Sequence, residues 1–137
     1  MENKIKHLEM IQGVINRMAS NSFKLKGWAV TLAAGIFALA SKEAEKQYYL
    51  VVYIPVLVFW VLDAYYLFQE RLYRALYNEV RKKDEKSIDF SMNTAPFNHT
   101  PKKNTFICSL FSKTEILFYL PLAAICTIVV FLPFIIK

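Results

Sequence analysis

Four charged residues near the end of a long apolar run are the strongest candidates for chemistry: Asp63, Glu70, Arg71 and Arg74. A carboxylate inside a membrane span costs roughly 2.5–3.5 kcal/mol, and less near the interface, so it usually faces protein or water. The sequence leaves two interpretations of Asp63 open. Either it lines an aqueous path or holds a gate shut, or it is solvated near the boundary or paired with Lys26.

The charges beyond Asp63 fit both a pore mouth and a lipid surface. Asp63, Glu70 and Arg74 fall near one face of a helix, and Arg74 can pair with Glu70 at a spacing of four residues. As a functional site, these charges would form a vestibule that concentrates inorganic ions at a pore. As a solvated basic face, they would bind anionic lipid heads or another polyanion, and lipid is the simpler explanation beside a membrane.

Residue types and spacings argue against catalysis. The sequence holds no cluster of His, Cys and carboxylate residues at metal-ligand spacing, no Ser-His-acid arrangement and no phosphate-binding glycine-rich loop. The polar face of an N-terminal helix explains His7, and Cys108 and Cys126 are expected to be packed free thiols. We therefore expect neither an enzyme nor a bound metal or cofactor.

One continuous helix over residues 48–83 is predicted to position these charges. Its apolar part, as far as Phe68, would rise roughly 31 Å, which is about the thickness of one bilayer core. Pro55 is expected to kink this helix near its start. The polar half that follows keeps an apolar stripe of Leu72, Leu76 and Val80, so the helix would run from lipid into water.

Residues 1–22 are predicted to form an amphipathic helix. Its apolar stripe alternates spacings of three and four residues: Leu8, Ile11, Ile15 and Met18. Two interpretations compete, a helix on the membrane surface or one packed in a cytoplasmic bundle or oligomer. The seven-residue rhythm and mixed charge favour packing, and the stripe of residues 72–80 is the expected partner.

Residues 25–41 form the first predicted span. Its expected interface anchors are Lys24, Lys26 and Trp28. The span is rich in small residues, which let helices approach closely in lipid, so we expect it to face protein. Its pore-lining candidates are Thr31, Ala34 and Ala38. Residues 38–40 resemble a signal-peptidase site, but the preceding amphipathic region is too long for a signal peptide, so we expect no cleavage.

The rest of the chain supplies a turn, a connection and a third span. A charged turn over residues 41–47 would make the first two spans antiparallel, and residues 84–105 form a polar connection. The third span covers residues 116–136, which hold no charge. We divide the chain into residues 1–22, a transmembrane hairpin with its helical extension at 23–83, a cytoplasmic loop and interfacial turn at 84–112, and a third transmembrane helix at 113–137.

The distribution of lysine and arginine predicts the topology. Fourteen lie before the first span or between the second and third, whereas three lie in the 41–47 turn and at the C-terminus. By the positive-inside rule, the N-terminus is expected in the cytoplasm and the C-terminus outside.

Two stretches resemble small bacterial membrane effectors of anti-phage operons. They are residues 11–29 (IQGVINRMASNSFKLKGWA) and residues 60–67 (WVLDAYYL), the latter followed by Glu70-Arg71 and Tyr73-Arg74. The resemblance is to two-span SLATT-type proteins and to the membrane component of the Hailong system, and it covers residues 5–83. It implies a homo-oligomeric channel, with a tetramer favoured, that lies in the bacterial inner (plasma) membrane, depolarises it and stops growth. Control would come from a nucleotidyltransferase-type partner or its nucleotide or oligonucleotide product.

The expected fold is an all-α membrane protein with three transmembrane helices, an N-terminal amphipathic helix and a cytoplasmic extension of the second span, assembled as a homo-oligomer. Three spans of one copy cannot enclose a water-filled path, so a pore needs several chains around an axis. The small-residue first span or the Asp63 face would line it. The expected function is a gated pore-forming effector of abortive infection, and the alternative is a non-conducting membrane anchor or adaptor that docks a soluble partner.

Overall fold

The computed structural model describes residues 1–40, 46–99 and 104–136, and this part of the chain is helical without a strand. Four α-helices form it: α1 (Glu2–Ala40), α2 (Tyr53–Lys82), α3 (Phe106–Leu110) and α4 (Lys113–Ile135). Three 3₁₀ segments join them: Lys46–Val52, Glu85–Ser87 and Ala95–Phe97. Residues 41–45 of the predicted turn at 41–47 lie outside the described residues.

Among the described residues, three helical segments are long and apolar enough to cross a membrane. They are α1, the segment Tyr49–Lys82, which joins the end of the first 3₁₀ segment to α2, and α4. Their length and composition fit the predicted all-α membrane protein with three transmembrane helices. The third of them begins three residues before the predicted apolar run, because Ser112 caps it by accepting a hydrogen bond from the Glu115 backbone N–H at 3.4 Å.

The first helix is one rod of thirty-nine residues, and it shows no break at the predicted boundary between residues 22 and 23. Side chains that compete with helical hydrogen bonding are concentrated near that boundary, but Ser22 directs its hydroxyl to Asp63 of α2 instead of to its own backbone. At 1.5 Å per residue, α1 is about 58 Å long. It therefore passes through both the apolar and the polar parts of the fold.

The second helix begins five residues later than predicted. Residues Lys46–Val52 form a 3₁₀ helix, and regular α-helix starts at Tyr53. Pro55 explains this difference, because a proline is tolerated in the first turn of a helix but its ring clashes with the carbonyl four residues earlier. The predicted continuous helix over residues 48–83 is therefore correct from Tyr53 to Lys82 and wrong at its start.

Two separate cores hold the helices together. In the apolar half, α1, α2 and α4 share one cluster of buried residues: Ala29, Ala33, Val52, Val56, Tyr119, Cys126 and Val130. In the polar half, the predicted stripes of α1 and α2 meet in a second cluster: Ile11, Ile15, Leu76 and Val80, with Leu8 packed against it. Leu72 is buried and Met18 half-buried. The predicted helix-to-helix packing therefore exists within a single copy.

The direction of α4 follows from its polar contacts with α2. Tyr119 near the start of α4 reaches Asp63, whereas Thr127, two turns later, lies 2.8 Å from the Tyr53 hydroxyl. Helix α4 is thus antiparallel to α2 and parallel to α1. The Thr127 hydroxyl donates to the Ala123 carbonyl at 2.8 Å, which is the predicted bond back to its own helix.

A strap formed by residues 84–97 crosses the polar half of the bundle. The sequence predicts a polar connection here, but Ile88, Met92 and Phe97 pack against the second core. His7 is fully buried beneath the strap, with Nε2 2.9 Å from the Ser91 carbonyl oxygen, so the explanation of His7 by a polar helix face is wrong. The strap therefore belongs to the packed structure.

Glu85 fastens the strap to the start of α1. Its carboxylate accepts hydrogen bonds from the backbone N–H groups of Asn3 at 2.8 Å and Lys4 at 3.2 Å, and the Met1 amino group lies 2.7 Å away. The hydrogen bond from that amino group, assisted by the two backbone bonds, lowers the pKa of Glu85. A carboxylate at the start of a helix also interacts favourably with the positive end of the helix dipole.

Truncating one buried methyl group in the second core tests its contribution. Ile11 is fully buried, whereas Ile5, one and a half turns earlier on α1, is 51% exposed. We expect Ile11→Val to lower the free energy of unfolding by about 0.5–1.5 kcal/mol, because the lost methylene leaves a gap in a packed core. Ile5→Val should change it by less than about 0.5 kcal/mol. Denaturant unfolding in mild detergent measures both, and equal effects would contradict the packing described.

Candidate functional site

Three charged side chains, one from each long helix, meet at a single buried point. We call Lys26 of α1, Asp63 of α2 and Glu115 of α4 the charged cluster. Lys26 Nζ contacts Asp63 Oδ2 directly and lies 3.3 Å from Glu115 Oε1. The two carboxylate side chains are fully buried and the lysine is 15% exposed. The cluster therefore links all three membrane-spanning candidates through one ammonium group.

Asp63 is the best-satisfied member of the cluster. Its Oδ1 accepts from the Ser22 hydroxyl, and its Oδ2 accepts from Lys26 and from the Tyr119 hydroxyl at 3.0 Å. Lys26 also donates to the Ser22 oxygen at 3.0 Å. An ionised carboxylate accepts hydrogen bonds only, and three donors suit it well. The structure thus places Asp63 in a pair with Lys26, which is one of the two sequence interpretations.

Glu115 is satisfied on one side only. The Ser112 cap places it in the first turn of α4, where a carboxylate also favours the helix dipole. Its Oε1 accepts from Lys26, but Oε2 is buried without a hydrogen-bond partner among the described residues. The spacing of Ser112 and Glu115 resembles a capping box, yet the glutamate side chain reaches across to α1.

The predicted interface anchors divide into two kinds. Lys24 and Trp28 are exposed, the latter by 59%. Lys26 instead directs its ammonium into the charged cluster, where the rings of Phe118 and Tyr119 lie 5.8 and 6.0 Å from Nζ. These aromatic faces add a favourable contact to a cation that is mostly withdrawn from solvent.

The other predicted charged residues lie apart from the cluster. Arg74 pairs with Glu70 at 3.1 Å, as the spacing of four predicts, and the arginine is 59% exposed while the glutamate is 14% exposed. Arg71 is half-buried. Asp63 instead forms hydrogen bonds with side chains of α1 and α4. It therefore does not join Glu70 and Arg74 in one row of interacting charges along α2.

The pore-lining candidates of the first span share the side of α1 that faces away from α2. Thr31, Ala34 and Ala38 are exposed on this side, and the Thr31 hydroxyl donates to the Gly27 carbonyl at 2.9 Å. A Cβ built on Gly27 would meet no atom within 4 Å. The small residues of α1 therefore form two groups, since Ala29 and Ala33 are buried in the apolar core.

Sequence reasoning missed Glu115, Tyr119 and the role of Ser22. Glu115 stands just before an uncharged run, where a charge is easily taken for the end of a span. One signal was available, because Glu115, like Lys26 and Asp63, is a charged residue at the predicted cytoplasmic end of its span. Nothing in the spacing of Tyr119 identifies it as a donor to Asp63.

The chemistry that the cluster shows is the pairing of one ammonium group with two carboxylates across three helices. Across residues 1–40, 46–99 and 104–136, no three His, Cys, Asp or Glu side chains are grouped so that they could hold a metal ion.

Comparison with protein-family models, with curated proteins and with solved structures finds no match to this chain.

Proposed function

We propose that this chain is a gated ion channel of the bacterial inner membrane, formed by several copies around an axis lined by α1. The observation that carries the proposal is the open face of α1, defined by Gly13, Ser20, Gly27, Thr31, Ala34 and Ala38, all of which are exposed. The resemblance to anti-phage effectors adds the expected role, depolarisation during abortive infection under control of a nucleotide-producing partner.

The interior of one copy does not supply a path for ions. The apolar core between α1, α2 and α4 is filled by aliphatic and aromatic side chains. Asp63, the sharpest gate candidate from the sequence, is fully buried and bonded to three side chains. A conducting path therefore has to run between copies.

The open face has the composition of a helix-to-helix contact in lipid. A glycine inside a helix costs roughly 0.5–1 kcal/mol relative to alanine, and within one copy nothing packs closely enough on Gly13 or Gly27 to require it. Small residues allow close approach of backbones between copies, which compensates for that cost. The threonine hydroxyl and helix backbone would then line a narrow axis.

An apolar groove beside the open face offers room for a neighbouring copy. A cavity of about 430 Å³ lies there between helices α1 and α4. Residues of both helices line it, among them Ala34, Phe37, Phe118, Leu122 and Val129. Side chains of a second copy packed on the open face would extend into this groove.

The placement of basic residues supports an inward-facing polar bundle. With the N-terminus in the cytoplasm, the second core and the strap would face a soluble regulator. Helices α1 and α2 run without interruption from that bundle to the charged cluster. A regulator bound at the Leu72–Val80 region would therefore shift both helices at membrane level, which is how we expect the channel to be gated.

Replacing Gly27 by alanine separates a contact surface from an unused face. If the open face contacts only lipid, Gly27→Ala should stabilise the subunit by about 0.5–1 kcal/mol and leave association unchanged. We expect instead that the added methyl weakens self-association, because it holds neighbouring backbones apart. Cross-linking in membranes measures association, and Leu32→Ala is the control, because Leu32 is an exposed residue of α1 outside both the open face and the groove. Unchanged cross-linking of Gly27→Ala would contradict the proposed axis.

The proposal as a whole is tested by expression in bacteria with a potential-sensitive dye. We expect loss of membrane potential and arrested growth when the protein is activated by infection or released from its partner. Normal potential and growth under induction, both with and without infection, would contradict a toxic channel.

A non-conducting anchor or adaptor is the second candidate. The observation that favours it is the exposed basic end of α2, where Arg74, Arg81 and Lys82 present positive charge beside the strap. Such a surface would dock an acidic soluble partner or anionic lipid heads. An adaptor would show no conductance in liposomes in any variant, whereas replacing Arg74, Arg81 and Lys82 would release the partner.

A further inference from the structure

We propose that the charged cluster is a proton-binding site and that one proton is held on Glu115. The proton site lies within the single subunit, whether or not the assembled protein conducts ions. Two carboxylates and one ammonium carry a net charge of −1 when all are ionised, in a place where both carboxylates are fully buried.

An uncompensated charge in such a place is expensive, since the effective penalty for burying one ion is several kcal/mol. A neutral carboxyl group with one unsatisfied oxygen costs far less, about 1–3 kcal/mol. The cluster therefore lowers its free energy by taking up one positive charge. A proton needs no further space or ligands, and two carboxylates that share one counter-ion commonly hold one.

The geometry assigns the proton to Glu115 and not to Asp63. Asp63 accepts hydrogen bonds from Ser22, Lys26 and Tyr119, and all three stabilise its ionised form. Glu115 accepts a single bond, from Lys26 at 3.3 Å, and its Oε2 has no partner among the described residues. The less stabilised carboxylate is the one that takes the proton.

The groups that face the site come from every element packed around it. Helix α1 contributes Ser22 and Lys26, α2 contributes Asp63, and α4 contributes Glu115 and Tyr119. Loss of the proton leaves two buried negative charges that compete for Lys26. Because α1 and α4 otherwise touch sparingly and border a cavity beside the site, we expect release of the proton to loosen α4 from α1.

The direction of the pH dependence follows from linkage. The folded protein holds a proton near neutral pH, where the unfolded chain has released it from an ordinary glutamate. Stability therefore falls as pH rises, which is opposite to the usual behaviour of a paired carboxylate. A single proton changes the ratio of folded to unfolded protein by up to about tenfold per pH unit.

Infrared difference spectroscopy of the purified full chain in lipid vesicles tests the assignment. We expect a protonated carboxyl band at neutral pH in the wild-type protein, its loss in Glu115→Gln, and its retention in Glu70→Gln. Glu70 is the matched control, because it is a largely buried glutamate paired with Arg74 outside the cluster. A band that persists in Glu115→Gln, or no band in the wild-type protein, would overturn the proposal.

Denaturant unfolding followed by Trp60 fluorescence gives an independent readout in case Glu115→Gln folds poorly. Relative to Glu115→Gln, the folded fraction of wild-type protein should fall as pH rises from about 5, where an ordinary glutamate ionises, to the pH at which the folded protein releases its proton. It should not change when sodium replaces a bulky organic cation. Glu115→Gln, which mimics the neutral acid, should lose the dependence. Stability that is constant or rises with pH in the wild-type protein would overturn the proposal. Stabilisation by sodium would show a bound metal cation in place of the proton, and it would overturn the proposal as well.

Discussion

Replacing Lys26 by methionine is expected to destabilise the packed three-helix unit by about 3–5 kcal/mol. Methionine keeps much of the length and apolar surface of the lysine but removes the ammonium group that joins α1 to α2 and α4. Asp63 would then be a buried negative charge with only hydroxyl donors, from Ser22 and Tyr119. Breaking a buried pair by removing one partner costs more than removing both.

Trp60 provides the measurement. Its ring stacks near Tyr119 at a centroid distance of 6.4 Å, and its indole N–H donates to the Leu110 carbonyl at 3.0 Å. Its fluorescence therefore reports how α2 packs against α3 and α4 during denaturant unfolding in detergent. Replacing the exposed Trp28 by phenylalanine removes the second signal.

Two variants control for effects other than the broken pair. Lys24→Met removes a lysine that is exposed, two residues earlier on the same helix, and should change the free energy of unfolding by less than about 0.5 kcal/mol. The double variant with Lys26→Met and Asp63→Asn removes both charges and should recover most of the loss. Equal effects of Lys24→Met and Lys26→Met would contradict the structural role of the cluster.

Asp63→Asn alone is expected to be milder than Lys26→Met. Lys26 would keep a partner, because Glu115 can give up its proton and pair with the ammonium group. The two carboxylates are therefore coupled, and their substitutions should not add.

The sequence predicts the helices well because their signals are strong and local. Apolar runs that are long enough for a bilayer identify the three spans. The periodic stripes of Ile11 and Ile15 in α1 and of Leu76 and Val80 in α2 identify the residues of the second core from the sequence. The predicted start of α2 was wrong although Pro55 is visible in the sequence. From the sequence alone, a proline in the first turn of a helix cannot be distinguished from one that kinks a longer helix.

The contacts that the sequence does not predict are those between distant segments. Glu115 reaches Lys26 across eighty-nine residues, and His7 reaches Ser91 across eighty-four. Neither has a periodic signal, because a charge at the end of a span and a histidine on a helix are ordinary in isolation. The Lys26–Asp63 pair could be predicted from the sequence, because both residues lie at the predicted cytoplasmic ends of their spans. The packing of the strap was not predicted, because its three apolar residues lie in a polar segment and follow no helical or strand periodicity.

The open face of α1 is the part of the account with the largest functional consequence. Current carried by the assembled protein should pass along Ala34, whereas Ala33, the next residue, is buried in the apolar core. The two alanines lie about 100° apart around one helix, so the same substitution compares an exposed position with a buried one. Cys108 and Cys126 are not joined in a disulfide, and they would first be replaced by serine and alanine.

The most direct test of the channel is therefore the current through planar bilayers that contain purified Ala34→Cys or Ala33→Cys protein, before and after a charged, membrane-impermeant thiol reagent. We expect the reagent to reduce the Ala34→Cys current close to baseline, because it places a bulky charge on the axis, and to leave the Ala33→Cys current unchanged. Block of Ala33→Cys but not Ala34→Cys would contradict the assigned face, and the absence of current in every variant would contradict the channel itself.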